Sequence, residues 1–423
     1  MEYGVETFKN DDNNLCVDLV YKFSGLPKCF WITAFLAQYN NFRTALTYAY
    51  QAKFFSYYFD SIGIDIPARV KTGSFLSSTE IENYIHHCLF KGHQSQSTNN
   101  VVIFNEYSTK SLSNLIHSSR SSQNRVSTFT TKIRLKAFQR YLKFLFQHIY
   151  SSYNYSSETE YCFKDNSGRI DNYIKKLKHE NTVTKDQFEQ AIPTHKYLEI
   201  LQITHPSNLR NPWTQASRIR NYLIIKVLTE TGIRVGALCK LKISDLITSN
   251  PPRINITRTP NDPNDPRKRP PAQKTLAHVS PISSELMKSI LMYIKTERAK
   301  HGLSISHDFI FIAEKGTTSG QPISIQAVQK LFTKLSNSIN FRVYPHLIRH
   351  KFQELFEDAA ISKGVAPSRI DDLRKYASGW SANSKMIEVY NEHKLALAAH
   401  EISKSAQKNI LSGLNYTEST DET

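Results

Sequence analysis

Two short stretches decide the reading of this chain: TETGIRVGALCKLKISDLI (229–247) and PHLIRHKF (345–352). In the first, a helical apolar pattern running from Arg218 to Thr231 is interrupted at Gly232 and resumes from Val235 to Leu241, so the glycine acts as a helix break. Arg234 falls at the start of the second helix. In the other stretch, Pro345 suits a first helical position. His346 and Arg349 are then three apart on one helix and share a face. Between the two lies a β-rich stretch, about Ile254 to Ile282, and further helices run to about residue 410. The expectation is a mainly α domain with a small antiparallel sheet.

Working outward, Thr184 and Gln187 have capping-box spacing and open this second domain, taken as 184–410. The tail 411–423, ending TESTDET, is polar and reads as disordered. Upstream, Leu46, Tyr50, Phe54, Tyr57 and Tyr58 recur at helical steps, and Gly63 and Pro67 end that helix. Ser77 with Glu80 is a second capping box. A Ser-, Asn- and Gln-rich insertion follows near 91–127. The stretch 130–150 is strongly amphipathic: Leu135, Phe138, Leu142, Leu145 and Ile149 line one face, and Lys132, Lys136, Arg140 and Lys143 another. Residues 38–150 thus read as a helical domain and 151–183 as a polar linker. Residues 1–37 read as an irregular N-terminal arm, with Pro27–Trp31 as a short docking segment.

Composition narrows the partner. The 423 residues carry a formal net charge of +17, which points to a polyanion, most commonly nucleic acid. With 40% hydrophobic residues the chain has ample material for cores. The five cysteines, Cys16, Cys29, Cys88, Cys162 and Cys239, are dispersed with no zinc-finger spacing. That pattern fits free thiols in a reducing cytoplasm. The polar start MEYGVETFKNDDNN is unlike a signal peptide, and no apolar run approaches the roughly 20 residues of a membrane span. DNA or RNA is therefore expected rather than a membrane surface.

Two further stretches complete a chemical set: PAQKTLAHVSPIS (271–283), with Lys274 near a strand turn, and GWSANSKMIEVYNEH (379–393). Together the four offer two arginines, a lysine, a histidine and a tyrosine. Guanidinium forks match pairs of phosphate oxygens, and two of them suit the extra charge of a five-coordinate phosphorus. Lysine can protonate a leaving alkoxide and histidine can move or orient a proton. Tyrosine can attack and hold a phosphoryl group. No acidic cluster is spaced to hold Mg²⁺, and no cofactor or metal is expected.

TGIR, the Lys274–Thr275 turn, HLIRH, and Gly379–Trp380 leading to Tyr390 resemble the boxes of the tyrosine recombinase, or phage-type integrase, family. NPWTQASRIRNYLIIKVLTETGIR (211–234) and RTPNDPNDPRKRPPAQKT (258–275) resemble a bacterial subgroup carried on genomic islands and other integrative elements. The match covers roughly 184–400. A looser one covers 38–150, resembling the helical, SAM-like core-binding domain of such enzymes. The resemblance implies a two-domain, C-shaped clamp around duplex DNA, with an α+β catalytic domain. It implies that Arg234 and Arg349 clamp the scissile phosphate, Lys274 protonates the leaving 5′-hydroxyl, His346 assists proton transfer, Trp380 packs on the nucleophile, and Tyr390 forms a 3′-phosphotyrosyl bond. It also implies double-stranded attachment sites, a homotetramer on DNA and an accessory bending or directionality protein.

Some features depart from the pattern. Ala237 replaces the usual acidic residue three positions after the first arginine, and the Trp380-to-Tyr390 interval is about one residue longer than the family pattern. His350 reads as structural and Tyr376 as a packing residue. The basic residues Arg258, Arg267, Lys268 and Arg269 are candidates for tracking the DNA backbone, as is the stripe Lys132, Lys136, Arg140 and Lys143. Two alternatives remain open: a catalytically inactive DNA-binding regulator, favoured by Ala237, and a topoisomerase- or telomere-resolvase-like enzyme with the same chemistry.

Overall fold

The computed structural model describes residues 2–11, 14–91, 125–151, 155–179, 191–259, 262, 264–267, 269–273, 275–384, 386–387, 399 and 402–408. The chain divides into two compact units, Met1–Thr184 and Lys185–Thr423. Both are dominated by helices, each with one small antiparallel sheet.

The first unit opens with a hairpin, not an irregular arm. Strands β1 (Tyr3–Lys9) and β2 (Leu15–Tyr21) pair antiparallel from Tyr3↔Tyr21 to Lys9↔Leu15. The reason is visible afterwards in alternation: Tyr3, Val5 and Thr7, then Leu15, Val17 and Leu19, flank the polar turn NDDNN. Helix α1 (Phe30–Ala37) buries Ile32, Phe35 and Leu36. The hairpin is pinned to α2 (Phe42–Ser61). The Tyr3 amide donates to the Tyr57 hydroxyl at 2.7 Å, the Tyr3 hydroxyl donates to Asp60, and Lys28 reaches both Tyr3 and Asp60. Two side-chain oxygens close helix starts: Asn41 accepts from Arg43 and Thr44 at α2, and Asp65 accepts from Ala68 at α3 (Ile66–Lys71).

Helix α4 (Ser78–Cys88) starts at the Ser77–Glu80 capping box. Helix α5 (Thr128–Ile149) buries Leu135, Phe138, Leu142 and Leu145. Phe59 and Phe138 stack at 5.0 Å between centroids, and Phe55 and Tyr141 at 5.1 Å. The segment expected as a linker is largely helix α6 (Ser157–His179). Ile170, Ile174 and Leu177 enter the same core, and Phe163 stacks on Phe146 at 4.3 Å. Their three- and four-residue spacing is helical, but Tyr, Ser, Asn and Lys between them mask it. Asn166, 2% exposed, serves as a bracket: its side chain accepts from Leu76 N at 3.1 Å and donates to Leu76 O at 2.8 Å.

In the second unit, α7 (Thr194–Thr204) precedes α8 (Gln215–Thr231). Leu223, Ile224, Ile225, Val227 and Leu228 of α8 are all buried, so this helix is apolar nearly all round and forms the centre of the unit. A one-turn helix α9 (Val235–Leu238) follows. Strands β3 (Leu246–Ile247), β4 (Arg253–Ile256) and β5 (His278–Pro281) form an antiparallel sheet in that order, with Ile254 opposite Ser280 and Ile256 opposite His278. Helices α10 (Ser284–Lys295), α11 (Ile325–Ser338), α12 (Pro345–Ser362) and α13 (Pro367–Ser378) complete it. Residues 402–408 are helical. The Thr184–Gln187 capping box, most of the 91–127 insertion and the 411–423 tail lie outside the described residues. Among the described residues, no helix is long and apolar enough to cross a membrane.

Asn166 sets the first test. Asn166→Leu keeps the branched shape but strands the Leu76 amide and carbonyl, each costing about 1–3 kcal/mol when buried without a partner. The variant is expected to lose roughly 2–4 kcal/mol in chemical denaturation of the first unit, and an unchanged midpoint would refute the bracket role.

Candidate active site

The site is built around Arg349. Tyr344 is the N-cap of α12 and Pro345 its first residue, so Arg349 projects from the opening turns and is 2% exposed. Its Nη1 donates to Gly232 O at 2.5 Å and its Nη2 to Ser378 O at 3.2 Å. The guanidinium carbon lies 5.5 Å from the Trp380 ring centroid. Both carbonyls sit at helix C-termini: Gly232 caps α8 and Ser378 ends α13. Helix C-termini carry partial negative charge. These two carbonyl dipoles help to stabilise the buried cation.

Gly232 is required twice over. Its φ of +59° is left-handed, and a Cβ there would stand 2.2 Å from Phe352 Cδ1 on α12. The same turn delivers Arg234, half-buried and extended at the N-cap of α9. Gly379, with φ +60°, ends α13 in a similar way: its amide donates to Tyr376 O and the Trp380 amide to Lys375 O, at 3.1 and 2.9 Å. That turn drives Trp380 inward to 6% exposure.

His346, on the first turn of α12, keeps an exposed edge. Burial of the remainder, then the Arg349 and Arg234 cations, hold its imidazole below the usual histidine value. The two arginines therefore both reach this ring electrostatically. His350 packs on it with ring centroids 4.7 Å apart. Arg234, His346, Arg349 and Trp380 thus gather at the ends of four helices, as a phosphate site requires.

The hairpin expected to bear a general acid also docks here. Gly236 has no room for a side chain, because a Cβ would fall 2.2 Å from Ala272 O. This close approach lays residues 269–273 along α9. Beyond the turn, the Leu276 amide donates to Gly379 O at 2.8 Å. Upstream, Lys240 donates to Thr259 O and Lys242 pairs with Asp262 at 2.6 Å, pinning the loop that leads to the hairpin. Lys274 and Tyr390 themselves lie outside the described residues, as does Lys268.

Three expectations change. Arg267 is 8% exposed, paired with Asp265 at 2.7 Å, and donates to Cys239 O and Ile323 O. Its fork is committed to folding the loop, so it leaves the set of DNA-tracking candidates. Tyr376 is 72% exposed and is not a packing residue; it lies on the outer face of α13. His278 was passed over. A lone histidine on a strand carries no signal in sequence, yet its ring packs against Gly379 beside Arg349. Of the remaining basic candidates, Arg258, Arg269, Lys136, Arg140 and Lys143 are exposed, and Lys132 is half-buried. Arg140 also donates to the Tyr48 hydroxyl. Among the described residues, no group of three or more His, Cys, Asp or Glu is placed to hold a metal.

Comparison with known proteins bears on this geometry. The phage integrase family model matches residues 190–391, which contain all six predicted site residues. Transposase A from transposon Tn554 of Staphylococcus aureus is 25% identical over 185 residues, 44% of each chain. Tyrosine recombinase XerD of Halalkalibacterium halodurans is 27% identical over 150 residues, 35% of this chain and 44% of that one. The chain thus matches less than half the length of these relatives. Among solved structures, the post-cleavage complex of XerH site-specific recombinase with palindromic difH substrate aligns at TM-score 0.48 and 15% identity, over 84% of this chain and 76% of that one. The second unit is mainly α with a small antiparallel sheet, the class read from its sequence.

The pairing of His346 with two cations gives a direct test. In the free protein, its ring is expected to titrate below the usual histidine value by NMR. Arg234→Gln removes one repelling cation, so the titration should move upward. A shift in the other direction would contradict the arrangement.

Proposed function

We propose that the protein is a site-specific DNA recombinase that breaks and rejoins strands through a 3′-phosphotyrosyl intermediate at Tyr390, integrating or excising a mobile element. The observation that carries this reading is the convergence of Arg234, His346 and Arg349 within an integrase-family domain. The two guanidinium groups would bind the non-bridging oxygens of one scissile phosphate and neutralise the charge that builds on five-coordinate phosphorus. The Tyr390 oxygen would attack phosphorus, forming the P–O(Tyr) bond as the bond to the 5′-oxygen breaks. Lys274 would pass its proton to that oxygen. His346, whose imidazole is held below the usual histidine value, would take up the proton that the Tyr390 hydroxyl gives up on attack. Trp380 would pack against the nucleophile and keep water away.

The phosphodiester energy stays in the tyrosyl linkage, so attack by a new 5′-hydroxyl reseals the strand without ATP. The residues suffice without a metal. The exposed cations Lys136, Arg140 and Lys143 of the first unit, with Lys132 at their edge, and Arg258 and Arg269 of the second, would supply phosphate contacts and a salt-dependent affinity. Exchange between two duplexes implies four protomers on DNA, and an accessory bending or directionality protein is compatible with such an assembly. The reaction would take place in the cytoplasm, with the DNA. An inactive DNA-binding regulator would need neither the tyrosine nor the clamp that this domain retains.

The test uses nicked duplex DNA from the ends of the carrying element, incubated with protein in EDTA and denatured. The wild type is expected to give a protein–DNA adduct on a gel. Tyr390→Phe should abolish it, and Tyr376→Phe, changing the exposed neighbour, should not. Arg349→Ala should slow adduct formation by roughly 100-fold or more, the scale of losing one oxyanion donor. An adduct that survives Tyr390→Phe would refute the assigned nucleophile.

A further inference from the structure

His278 opens β5 and touches both the turn before that strand and the Gly379 turn after α13. Its Nδ1 lies 3.0 Å from Leu276 O. A carbonyl only accepts, so Nδ1 carries the proton and donates, which fixes the neutral tautomer. Its ring fills the space that Gly379 leaves open: a Cβ on Gly379 would stand 2.4 Å from Nδ1 and 2.8 Å from Cε1. Leu276, whose carbonyl accepts the histidine N–H, donates its own amide to Gly379 O at 2.8 Å. The imidazole thus forms the third side of a lock between the hairpin and the turn that carries Ser378 and Trp380. Both of those residues contact Arg349. Burial holds this ring below the usual histidine value, and the nearby Arg349 cation acts in the same direction.

We propose that His278 is a positioning residue that fixes how deeply the hairpin sits against the Arg349 clamp, and that it acts on catalysis through Lys274, four residues earlier in the sequence. The inference rests on the recombinase reading above. The chemistry is one of registration. A general acid delivers its proton only when held within hydrogen-bond reach of the departing oxygen. A hairpin free to shift by an ångström loses that reach while leaving phosphate binding by Arg234 and Arg349 in place. The Nδ1–H bond ties the turn before β5, and the ring's contact with Gly379 sets the distance of that turn from α13.

The distinguishing experiment compares two nicked substrates. One has the natural 5′-oxygen at the scissile phosphate. The other has sulfur in the bridging position, whose thiolate is a good leaving group and needs no proton, since thiols ionise near pH 8.5. Single-turnover adduct formation and DNA affinity are measured for wild type, His278→Ala and His278→Asn. His278→Ala is expected to slow cleavage of the oxygen substrate by roughly 100-fold, the scale of general-acid loss. The same variant should cleave the sulfur substrate at near the wild-type rate and bind DNA with unchanged affinity. His278→Asn keeps a donor near the Nδ1 position and should recover most of the oxygen rate. Equal slowing on both substrates would overturn the proposal, because the defect would then lie in the clamp or the fold. An unimpaired His278→Ala would overturn it too. A wild type that forms no adduct with either substrate is a separate result and removes the recombinase reading itself.

Discussion

The constraint on which this domain depends is a guanidinium with almost no access to water. Burying an isolated charge is costly unless polar partners replace the solvent. Arg349 meets Gly232 O and Ser378 O, the ends of two helix dipoles. One side chain on α12 therefore requires α8 and α13 to terminate beside it. Both helices end in left-handed glycines, and both glycines are also sites of close approach, by Phe352 at Gly232 and by His278 at Gly379. A second buried arginine supports the first. Arg374, 2% exposed, pairs with Glu357 at 3.1 Å and reaches Gln353, whose amide donates to Ser378 Oγ at 2.7 Å. That network fastens α13 to α12 and so sets where the Ser378 carbonyl points.

The motifs were legible because their chemistry is tied to local breaks in periodicity. TGIR announces a helix end, PHLIR a helix start, and Gly379 a second left-handed turn. Each break deposits a candidate site side chain, and Arg234, His346, Arg349 and Trp380 gather where those breaks meet. What sequence could not give is which groups surround them. The acceptors of Arg349 are backbone carbonyls, which every residue has. The place of His278 depends on the absence of a side chain a hundred residues away. Arg267 read as a surface cation because its partner Asp265, two residues before it, looks equally like a solvated loop residue.

The first unit shows the opposite failure. Its hairpin and α6 were missed because their apolar positions are diluted by tyrosines, which serve both faces. Tyr3 belongs to the core and also donates its hydroxyl to Asp60. Tyr57 is partly exposed and still accepts from the Tyr3 amide. With 22 tyrosines in the chain, a binary apolar pattern loses contrast. Asn166 adds to the blur, since a buried asparagine bracketing a backbone looks in sequence like a loop residue.

Ala237 follows from the same electrostatic logic. It is 1% exposed and packed in the core of the second unit. The resemblance leads one to expect a carboxylate there, bracing the site from behind. Such a group would orient the first arginine, but its negative charge would also subtract from the field at the phosphate, most strongly in a desolvated setting. In this chain the hairpin backbone comes within van der Waals range of α9 at Gly236, and Arg349 is held by neutral carbonyls. Close packing at Gly236 and the two carbonyls on Arg349 thus help to orient the site. With that support, this geometry is built without a carboxylate at position 237.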